Sequence, residues 1–374
     1  MMSPITAASE AAASNHGLRR GIARFAVIGA GNGGLATAAD LILRGFPVTA
    51  LYDRYDAQLR AVREHGAIEA IGAIRGKAPV RLATTDMQAA TRAADVLLIT
   101  VPAFAHEWVA RAMAPHIRPD QAIVLCPGYF GGSRVFGRAF AEAGTVAAMI
   151  VETVILPYAC RIVAPGLVSV RAVKRWLEFA ALPAHANDRA AELLQPAFPQ
   201  LQAVRNVLEV GVNNPNPIMH VPLTLLNMAR AESDEAFAGI DFHDWITPSV
   251  DRLMKQVDLE RLQLARRLGF RGVSVDEWYE RSYRGVERHY ADPTGDVPEG
   301  SKNIPPRYIT EDVPMGLVPL VSLADQVGQA LPVTRMLIDL AGIVHGTDYW
   351  AQGRTMDGLG LGGLAMEGLL EAVR

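Results

Sequence analysis

Residues 24–34 have the sequence RFAVIGAGNGG, and this stretch decides the fold. Phe25–Ile28 is a short apolar run of the kind that a strand covered on both faces requires. Gly29, Gly31 and Gly34 follow it with the G-x-G-x-x-G spacing of a dinucleotide-binding turn. In that interpretation the first glycine permits the tight turn, the second lets the backbone approach a pyrophosphate, and the third lets the next helix lie close to the strand.

The residues after the glycines support this interpretation. We expect a helix over Leu35–Arg44, with its N-terminal amides and positive dipole end facing the phosphates. A second apolar strand, Val48–Tyr52, ends at Asp53, about 20 residues after the turn, as the motif requires. A plain packing turn is the alternative, which this context disfavours. The residues expected to line a nucleotide cofactor are therefore Gly29, Gly31, Asn32, Gly33 and Gly34.

Two residues after the second predicted strand bear on which cofactor is used. A carboxylate at Asp53 can accept hydrogen bonds from both hydroxyls of the adenosine ribose and repel a 2′-phosphate, which favours NAD. Arg54 could stack on adenine or hold a 2′-phosphate, so NADP stays open. An ordinary surface pair of the two residues is the alternative, and the spacing from the glycines disfavours it. The predicted cofactor is NAD or NADP, with NAD favoured.

The totals restrict the class of protein. A chain of 374 residues is too long for one core of ordinary size, so we expect two domains. The 36 basic and 39 acidic residues give a formal net charge of −3, which argues against a nucleic-acid partner. The two cysteines, Cys126 and Cys160, lie in apolar segments and are expected to be reduced, buried thiols of a cytoplasmic protein. No long apolar run predicts a membrane span, and residues 1–20 are expected to be a disordered tail rather than a signal peptide.

The first half of the chain predicts a doubly wound α/β sheet. A strand over Val96–Val101 stops at Pro102, whose loop then lies at the carboxyl ends of the strands, where such sheets bind ligands. Pro102 therefore joins the predicted cofactor residues, whereas His106 in the same loop is more often structural. Two other predicted helices are Asp56–His65 and Ser133–Glu142. A third is capped by Thr84–Asp86 and ends near Ala93. The other predicted strands are a hairpin-like stretch over Ala67–Lys77, then Pro79–Leu82, Gln121–Cys126 and Thr145–Ile150. Three more continue the sheet as a mixed one, Ile162–Ala164, Val168–Val173 and Trp176–Ala180, and Leu201–Arg205 finishes the first domain.

From about Asn206 the strand patterns fade and helical periods follow. The predicted helices are Val221–Glu232, Thr247–Leu268, Ser274–Tyr283, Val318–Gln329, Thr334–His345 and Leu361–Val373, with a loop-rich insert over Gly285–Pro314. We therefore expect residues 21–205 to form a Rossmann-type dinucleotide-binding domain and residues 206–374 an all-α domain that holds the substrate and the catalytic groups.

Two stretches of the helical half contain polar residues suited to catalysis. In VNNPNPIMH at residues 212–220 each proline disfavours the α conformation of the residue before it, so we expect extended chain until Pro217, with Asn216 as N-cap and His220 in the first turn. IPPRYITEDVP at residues 304–314 offers Asp312 as a carboxylate for the histidine and Arg307 as a guanidinium able to clamp a substrate carboxylate. Spacing alone leaves a structural histidine and a surface Arg307–Asp312 pair as alternatives.

Four motifs together resemble those of the octopine/nopaline dehydrogenases, the opine dehydrogenase family. They are GAGNGG at residues 29–34, LPYACR at 156–161, NPNPIMH at 214–220 and RYITEDVP at 307–314. The first is generic and the last two are specific, and the resemblance covers nearly the whole chain after residue 20. Members of the family use a reduced nicotinamide to join the amino group of an amino acid to the carbonyl carbon of a 2-keto acid.

The resemblance implies an NAD(P)-dependent oxidoreductase that acts on CH–NH bonds. It implies that His220 and Asp312 form a catalytic dyad and that Arg307 orients the keto-acid carboxylate. We expect these groups to lie in a cleft between the two domains, where ligand sites commonly occur. It also implies that Glu152 and Cys160 help to hold the amino acid; a carboxylate such as Glu152, at the end of a buried strand, needs a partner and could bind an amino group.

Two further features complete the expectations from sequence. The loop after the fifth strand has Tyr129 and Phe130 where the family would be expected to have a small, amide-bearing loop. The expected partners are a small-molecule amino acid and a 2-keto acid such as pyruvate, without nucleic acid, membrane or metal, and a homodimer is compatible with the sequence. The alternatives are a simple NAD(P)-dependent reductase of a 2-keto or hydroxy acid and a nucleotide-binding sensor without turnover.

Overall fold

The structure is a computed structural model that describes residues 22–232, 245–287 and 305–374. The described chain divides into two compact units: the first contains residues 22–128, 132–204 and 285–287, and the second contains residues 129–131, 205–232, 245–284 and 305–374. The predicted tail lies outside the described residues, as does most of the insert predicted over Gly285–Pro314. The short segment Tyr129–Gly131 therefore belongs to the second unit although its neighbours on both sides belong to the first.

The first unit contains all the strands of the described chain. In chain order they are β1 (Phe25–Ile28), β2 (Val48–Tyr52), β3 (Ala67–Gly72), β4 (Gly76–Pro79), β5 (Ala83–Thr84), β6 (Val96–Ile99), β7 (Ala122–Leu125), β8 (Met149–Thr153), β9 (Tyr158–Ala164), β10 (Leu167–Val173), β11 (Leu177–Leu182) and β12 (Leu201–Ala203). Eight of them form one sheet in the order β12-β11-β8-β7-β6-β1-β2-β5. All its neighbours are parallel except β8 and β11. Every residue of β1, β6 and β7 is buried, as expected of central parallel strands that are covered on both faces.

The other four strands form a separate sheet in the order β4-β3-β10-β9. The predicted hairpin is confirmed, since β3 and β4 pair antiparallel. The prediction that β9 and β10 continue the main sheet is wrong, because β10 pairs with β3 and β9 pairs with β10. The strand predicted over Pro79–Leu82 is also wrong, because Pro79 ends β4 and the edge strand of the main sheet begins at Ala83. Apolar runs show that a strand forms, but they do not show which sheet edge offers it backbone partners.

The helices of the first unit lie between its strands along the chain. They are Asn32–Leu43, Asp56–His65, Met87–Arg92, His106–Met113, Gly132–Glu142 and Asn187–Leu194, with 3₁₀ turns at Ala103–Ala105, Ala114–His116 and Ala184–Ala186. The predicted cap at Asp86 is confirmed, because its carboxylate accepts hydrogen bonds from the amides of Gln88 at 2.9 Å and Ala89 at 3.2 Å. The first helix begins at Asn32, three residues before its predicted start, since the glycines of the loop already form its first turn.

The described residues of the second unit form helices and no strand, which confirms the predicted fold class. The helices are Val207–Val212, Asn216–Leu226, Met228–Ala231, Pro248–Arg267, Val275–Tyr283, Arg307–Thr310, Val318–Gln326, Pro332–His345, Tyr349–Gln352 and Met366–Glu371, with a π-helical segment at Val313–Leu317. The last one begins five residues after its predicted start at Leu361. In the described ranges, none of the helices combines the length and hydropathy that a membrane crossing needs.

One buried cation fixes the chain just before the helix of His220. Arg261 is 1% exposed and lies in the long helix Pro248–Arg267. Its guanidinium donates to the carbonyl oxygens of Val212 at 3.0 Å and Val273 at 2.6 Å, and to the side-chain oxygen of Asn213 at 3.2 Å. Charge-assisted hydrogen bonds of this kind are the strong ones, so three segments of the second unit are held together at this point.

Candidate active site

An imidazole and a carboxylate from distant parts of the chain meet in the second unit. The Nδ1 atom of His220 lies 2.8 Å from an Oδ2 atom of Asp312, across 92 positions of sequence. The Asp312 side chain is 1% exposed and that of His220 is 13% exposed. A carboxylate oxygen accepts, so Nδ1 donates to Asp312, and Nε2 is the imidazole nitrogen outside this hydrogen bond. The predicted pairing of these two residues is therefore present in the structure.

The helix of His220 begins differently from its prediction. Pro215 already has α-helical angles, with φ −78° and ψ −21°, and the helix begins at Asn216. The expectation of extended chain until Pro217 is therefore wrong, and so is the N-cap at Asn216. Instead the Asn214 side chain accepts a hydrogen bond from the Asn216 amide at 3.0 Å. The bias that a proline imposes on the residue before it is a local preference, which tertiary packing has overridden here.

A glycine brings the two segments of the dyad together. A Cβ atom added to Gly316 would lie 2.3 Å from Cγ of Pro217, so a larger residue does not fit where the two segments cross. Gly316 lies in the π-helical segment Val313–Leu317, directly after Asp312. π-Helical turns occur frequently at functional sites. This close backbone approach, which the sequence did not predict, accounts for the short distance between His220 and Asp312.

Arg307 lies near the dyad but does not bond to it. Its side chain is 48% exposed, and its nearest ion-pair contact is 3.8 Å to Glu311, whose side chain is 1% exposed. The surface pair between Arg307 and Asp312 is not formed, because Asp312 is buried and bonded to His220. A half-exposed guanidinium beside a buried dyad is suited to bind the carboxylate of an incoming molecule.

Sequence reasoning missed an aromatic neighbour of the dyad. The Tyr308 ring stacks on the His220 imidazole, with ring centroids 3.8 Å apart and planes 15° from parallel. The same ring lies 5.7 Å from Cζ of Arg307. Tyr308 lies between Arg307 and Ile309 in the RYITEDVP motif and gives no periodic signal, so the sequence showed only that a tyrosine is present there.

The segment Tyr129–Gly131 also belongs to the surroundings of the dyad. Tyr129 is buried and has a φ of +54°, which is uncommon for a residue with a side chain. Burial raises the pKa of the Tyr129 phenol well above its ordinary value, and the carboxylates of Asp312 and Glu311 raise it further. The Phe130 carbonyl accepts a hydrogen bond from Arg354 at 3.0 Å, which fixes this segment within the second unit. The two aromatic residues that depart from the family's expected loop thus place a protonated phenol beside the dyad.

The glycine loop in the first unit has the geometry that its motif predicts. A Cβ added to Gly34 would lie 1.7 Å from the carbonyl oxygen of Gly29, whereas one added to Gly31 would have no atom within 4 Å. Asp53 accepts hydrogen bonds from the amides of Ala30 at 2.7 Å and Tyr55 at 2.9 Å, so the carboxylate also holds the loop in place. The close contact and the open space are where the motif requires helix packing and pyrophosphate approach.

Arg54 is held by aromatic rings. Its Cζ atom lies 4.4 Å from the centroid of the Trp108 ring and 5.1 Å from that of Tyr55. Among the residues that the structure describes, no side chain or backbone oxygen accepts a hydrogen bond from its guanidinium. The five N–H donors of this guanidinium are therefore available to an anion. Pro102 lies directly before the 3₁₀ turn Ala103–Ala105, and Trp108 lies in the helix that follows this turn.

The LPYACR motif packs against the glycine loop and the helix that follows it. The Asn32 side chain accepts a hydrogen bond from the amide of Ile162, just after the motif, at 2.7 Å. The backbone carbonyl oxygen of Asn32 lies 3.2 Å from Sγ of Cys160. Tyr158 donates to Asp40 at 2.7 Å. The buried Lys174 amine donates to carbonyl oxygens within the motif, and its burial lowers its pKa to about 8. Cys160 is half-buried, so the expectation of two buried thiols holds for Cys126 only.

Glu152 and His106 are both fully buried in the first unit. Glu152 lies in β8 and accepts a hydrogen bond at 2.7 Å from the amide of Ser133, in the first turn of the helix Gly132–Glu142. A carboxylate at this place stabilises the helix by interaction with its positive end. The His106 ring packs edge-on against Phe136 at 5.7 Å. The predicted substrate role of Glu152 stays a prediction.

Two family models match the chain. Residues 203–345 match the model described as NAD/NADP octopine/nopaline dehydrogenase, alpha-helical domain, and residues 24–131 match that of the NAD-dependent glycerol-3-phosphate dehydrogenase N-terminus. An opine dehydrogenase of Arthrobacter sp. (strain 1C) is 39% identical over 355 residues, which is 93% of this chain and 98% of that protein. The chain belongs to the opine dehydrogenase family. As an opine dehydrogenase it is an NAD(P)-dependent oxidoreductase that acts on CH–NH bonds and condenses an amino acid with a 2-keto acid.

More distant opine dehydrogenases also match this chain over nearly its whole length. A vitopine synthase of Allorhizobium ampelinum is 26% identical, with 91% of this chain and 96% of that protein covered. The structure of an octopine dehydrogenase in complex with NADH and agmatine superposes with a TM-score of 0.71 at 22% identity, over 93% of this chain and 98% of that one. The fold that the resemblance implied is therefore confirmed, and so is the membership of the family.

Proposed function

We propose that this opine dehydrogenase uses His220 and Asp312 as its acid–base dyad and Arg307 as the clamp for the keto-acid carboxylate. The observation that supports this most directly is the 2.8 Å contact between Nδ1 of His220 and the buried carboxylate of Asp312. A histidine oriented by a carboxylate is the arrangement that proton transfer to and from a substrate requires.

The residue types suit each proton transfer of the condensation. When the amine attacks the keto carbonyl, His220 passes the proton that the nitrogen loses to the oxygen, which gives a carbinolamine. A second proton, donated by Nε2 of the imidazolium, then lets the hydroxyl depart as water and leaves a protonated imine. Asp312 holds the imidazole in one tautomer and stabilises the imidazolium. Arg307 fixes the carboxylate next to the carbonyl that reacts, which is largely an entropic advantage. The reduced nicotinamide, when bound, supplies the hydride that reduces the imine carbon.

We assign the cofactor to residues 21–205 and the catalytic groups and the keto acid to residues 206–374, whereas two residues proposed for the amino acid, Glu152 and Cys160, lie in the first range. The glycine loop fits a dinucleotide, because there is open space at Gly31 and because the backbone of Gly34 lies directly against Gly29. The cofactor residues would be this loop with Asn32, Gly33, Asp53, Arg54 and Pro102. The substrates would be an amino acid, which Glu152 and Cys160 help to hold, and a 2-keto acid such as pyruvate. The two free thiols support a cytoplasmic location.

A substrate panel tests the reaction. Purified protein is given NADH or NADPH with each of a set of amino acids, with pyruvate and other 2-keto acids, singly and in pairs. We expect oxidation of the reduced cofactor only when an amino acid and a keto acid are present together. Turnover with a keto acid alone would instead establish the simple 2-keto acid reductase.

A substitution tests the dyad. His220→Ala is expected to lower kcat by roughly 10²- to 10⁴-fold, which is the usual contribution of a general acid–base group. His345→Ala is the matched control, because this histidine of the second unit bonds to the hydroxyl of Tyr349, at 2.9 Å, and not to a carboxylate. The control should keep its kcat. Retained turnover in His220→Ala would remove the dyad from the mechanism.

A further inference from the structure

We propose that Tyr308 is a positioning residue of this active site, whose ring sets the plane of the His220 imidazole and the place of the Arg307 guanidinium. The proposal rests on the proposed function of those two residues. Its geometry is the stack of the two rings at 3.8 Å and 15°, together with the distance of 5.7 Å from the tyrosine ring to Cζ of Arg307.

The dyad by itself does not orient the imidazole completely. The hydrogen bond between Nδ1 of His220 and Asp312 fixes a distance and a direction, but coupled changes of the two side-chain torsions of His220 can still rotate the ring plane about it. A flat partner 3.8 Å away removes this rotation, since a turn of the imidazole would drive its edge into the tyrosine ring. The direction of Nε2, the atom that must face the departing oxygen, is then defined by both contacts. A misplacement of about 1 Å at such an atom can lower a rate by roughly 10²-fold.

Tyr308 is itself held firmly enough to act in this way. It is 8% exposed, and the next residue, Ile309, is 1% exposed. The amide of Tyr308 donates to the carbonyl of Pro305 at 2.9 Å at the start of the short helix Arg307–Thr310. The two consecutive prolines before this helix restrict its backbone. The ring is therefore held by burial and by the restricted backbone before its helix.

The same ring links the two cationic groups of the proposed site. The face of a tyrosine attracts a guanidinium and an imidazolium within about 6 Å of its centroid. Arg307 lies within that distance, and His220 enters it as a cation whenever it holds the proton that it transfers. Loss of the ring should therefore affect both the proton transfer, which appears in kcat, and the placement of the keto acid, which appears in its KM.

The test compares Tyr308→Phe, which keeps the stacking ring, with Tyr308→Leu and Tyr308→Met, which do not. We expect the Phe variant to stay within about twofold of wild-type kcat, because the ring face and not the hydroxyl is used. The Leu and Met variants should lose roughly 10- to 100-fold in kcat and raise the KM of the keto acid. The KM of the amino acid and the affinity for NADH should not change. A Leu variant with kcat within about twofold of wild type would overturn the proposal.

A double-mutant comparison separates this proposal from the proposed function. In the His220→Ala background, Tyr308→Leu should not lower kcat further, because there is no imidazole left to position. An equal fall in both backgrounds would show a general structural effect and overturn the proposal. If His220→Ala itself keeps its turnover, the proposed dyad fails; if it loses turnover and Tyr308→Leu does not, only the positioning role fails. NMR of the wild type provides a measurement independent of folding defects: the His220 ring protons should be shifted upfield by the stacked tyrosine, and unshifted resonances would contradict the stack.

Discussion

The two units of the molecule hold their functional groups in different ways. The first uses backbone groups of the glycine loop, with Gly34 against the carbonyl of Gly29 and the amide of Ala30 on the carboxylate of Asp53. The second uses side chains that are far apart in sequence, as His220 and Asp312 show. Substitutions in the first unit should therefore act through volume and disturb the backbone, whereas those in the second should act through charge or geometry and leave the fold intact.

Gly34→Ala should have the largest effect and tests the first half of this comparison. The added Cβ would lie 1.7 Å from the Gly29 carbonyl oxygen, so either the helix or the glycine turn must move. We expect affinity for NADH, measured by fluorescence titration, to fall by roughly 100-fold or more, and the melting temperature to fall as well, since backbone strain is among the few causes of severe destabilisation.

Gly31→Ala is its matched control. A Cβ there meets no atom within 4 Å, so the melting temperature should stay that of the wild type. NADH affinity should still weaken, because the backbone can no longer approach the pyrophosphate as closely. If Gly34→Ala binds NADH and melts like the wild type, volume does not control the first unit.

The contrast also explains what could be predicted from sequence. The bounds of β1 and β2, the glycine turn and the cap at Asp86 follow from residues that are neighbours in the chain. Their signals are local: apolar runs, glycines that permit a close approach, and a side chain that accepts from amides two and three residues on. The sheet to which β9 and β10 belong depends on long-range pairing with β3, which no local pattern encodes.

The same limit applies to the candidate site. His220, Asp312 and Arg307 were recognised through motifs that resemble a family, because spacing alone left a structural histidine and a surface ion pair as alternatives. The structure brings the first two together through the approach of Gly316 to Pro217, a contact between segments about a hundred residues apart. The stack of Tyr308 on His220 also joins segments that are far apart in the sequence, so no local pattern encodes it.

Arg307→Lys tests the second half of the comparison with an intermediate effect. Lysine keeps the charge but cannot reproduce two parallel hydrogen bonds to a carboxylate. The KM of the keto acid should rise by roughly tenfold, about 1.4 kcal/mol, while the melting temperature stays constant. Arg335→Lys is the control, because Arg335 also lies in the second unit, is 44% exposed against 48% for Arg307, and pairs with a carboxylate, that of Asp325, at 2.6 Å. An unchanged KM in the Arg307 variant would contradict its role as the clamp.

The smallest effect is expected at Arg54, a residue of the first unit that side chains hold in place, as in the second unit. Arg54 is held by the faces of Trp108 and Tyr55 rather than by backbone groups, and its N–H donors face no acceptor among the described residues. Trp108→Ala removes one ring and leaves the backbone unchanged. We expect the KM of NADPH to rise about two- to fivefold, which corresponds to the roughly 0.5–1 kcal/mol of an exposed cation–π contact.

The cofactor comparison makes this prediction specific. The KM of NADH and the melting temperature should not change in Trp108→Ala, because an anion on Arg54 would be the 2′-phosphate that only NADPH has. Phe104→Ala is the matched control: it removes a more exposed aromatic ring from the 3₁₀ turn Ala103–Ala105, just before the helix of Trp108, and the ring is 56% exposed against 39% for Trp108. If NADH and NADPH are affected equally, Arg54 contacts the adenine that both cofactors share. If the variant melts at a lower temperature, side chains in the first unit act through the fold after all, and the difference between the two units disappears.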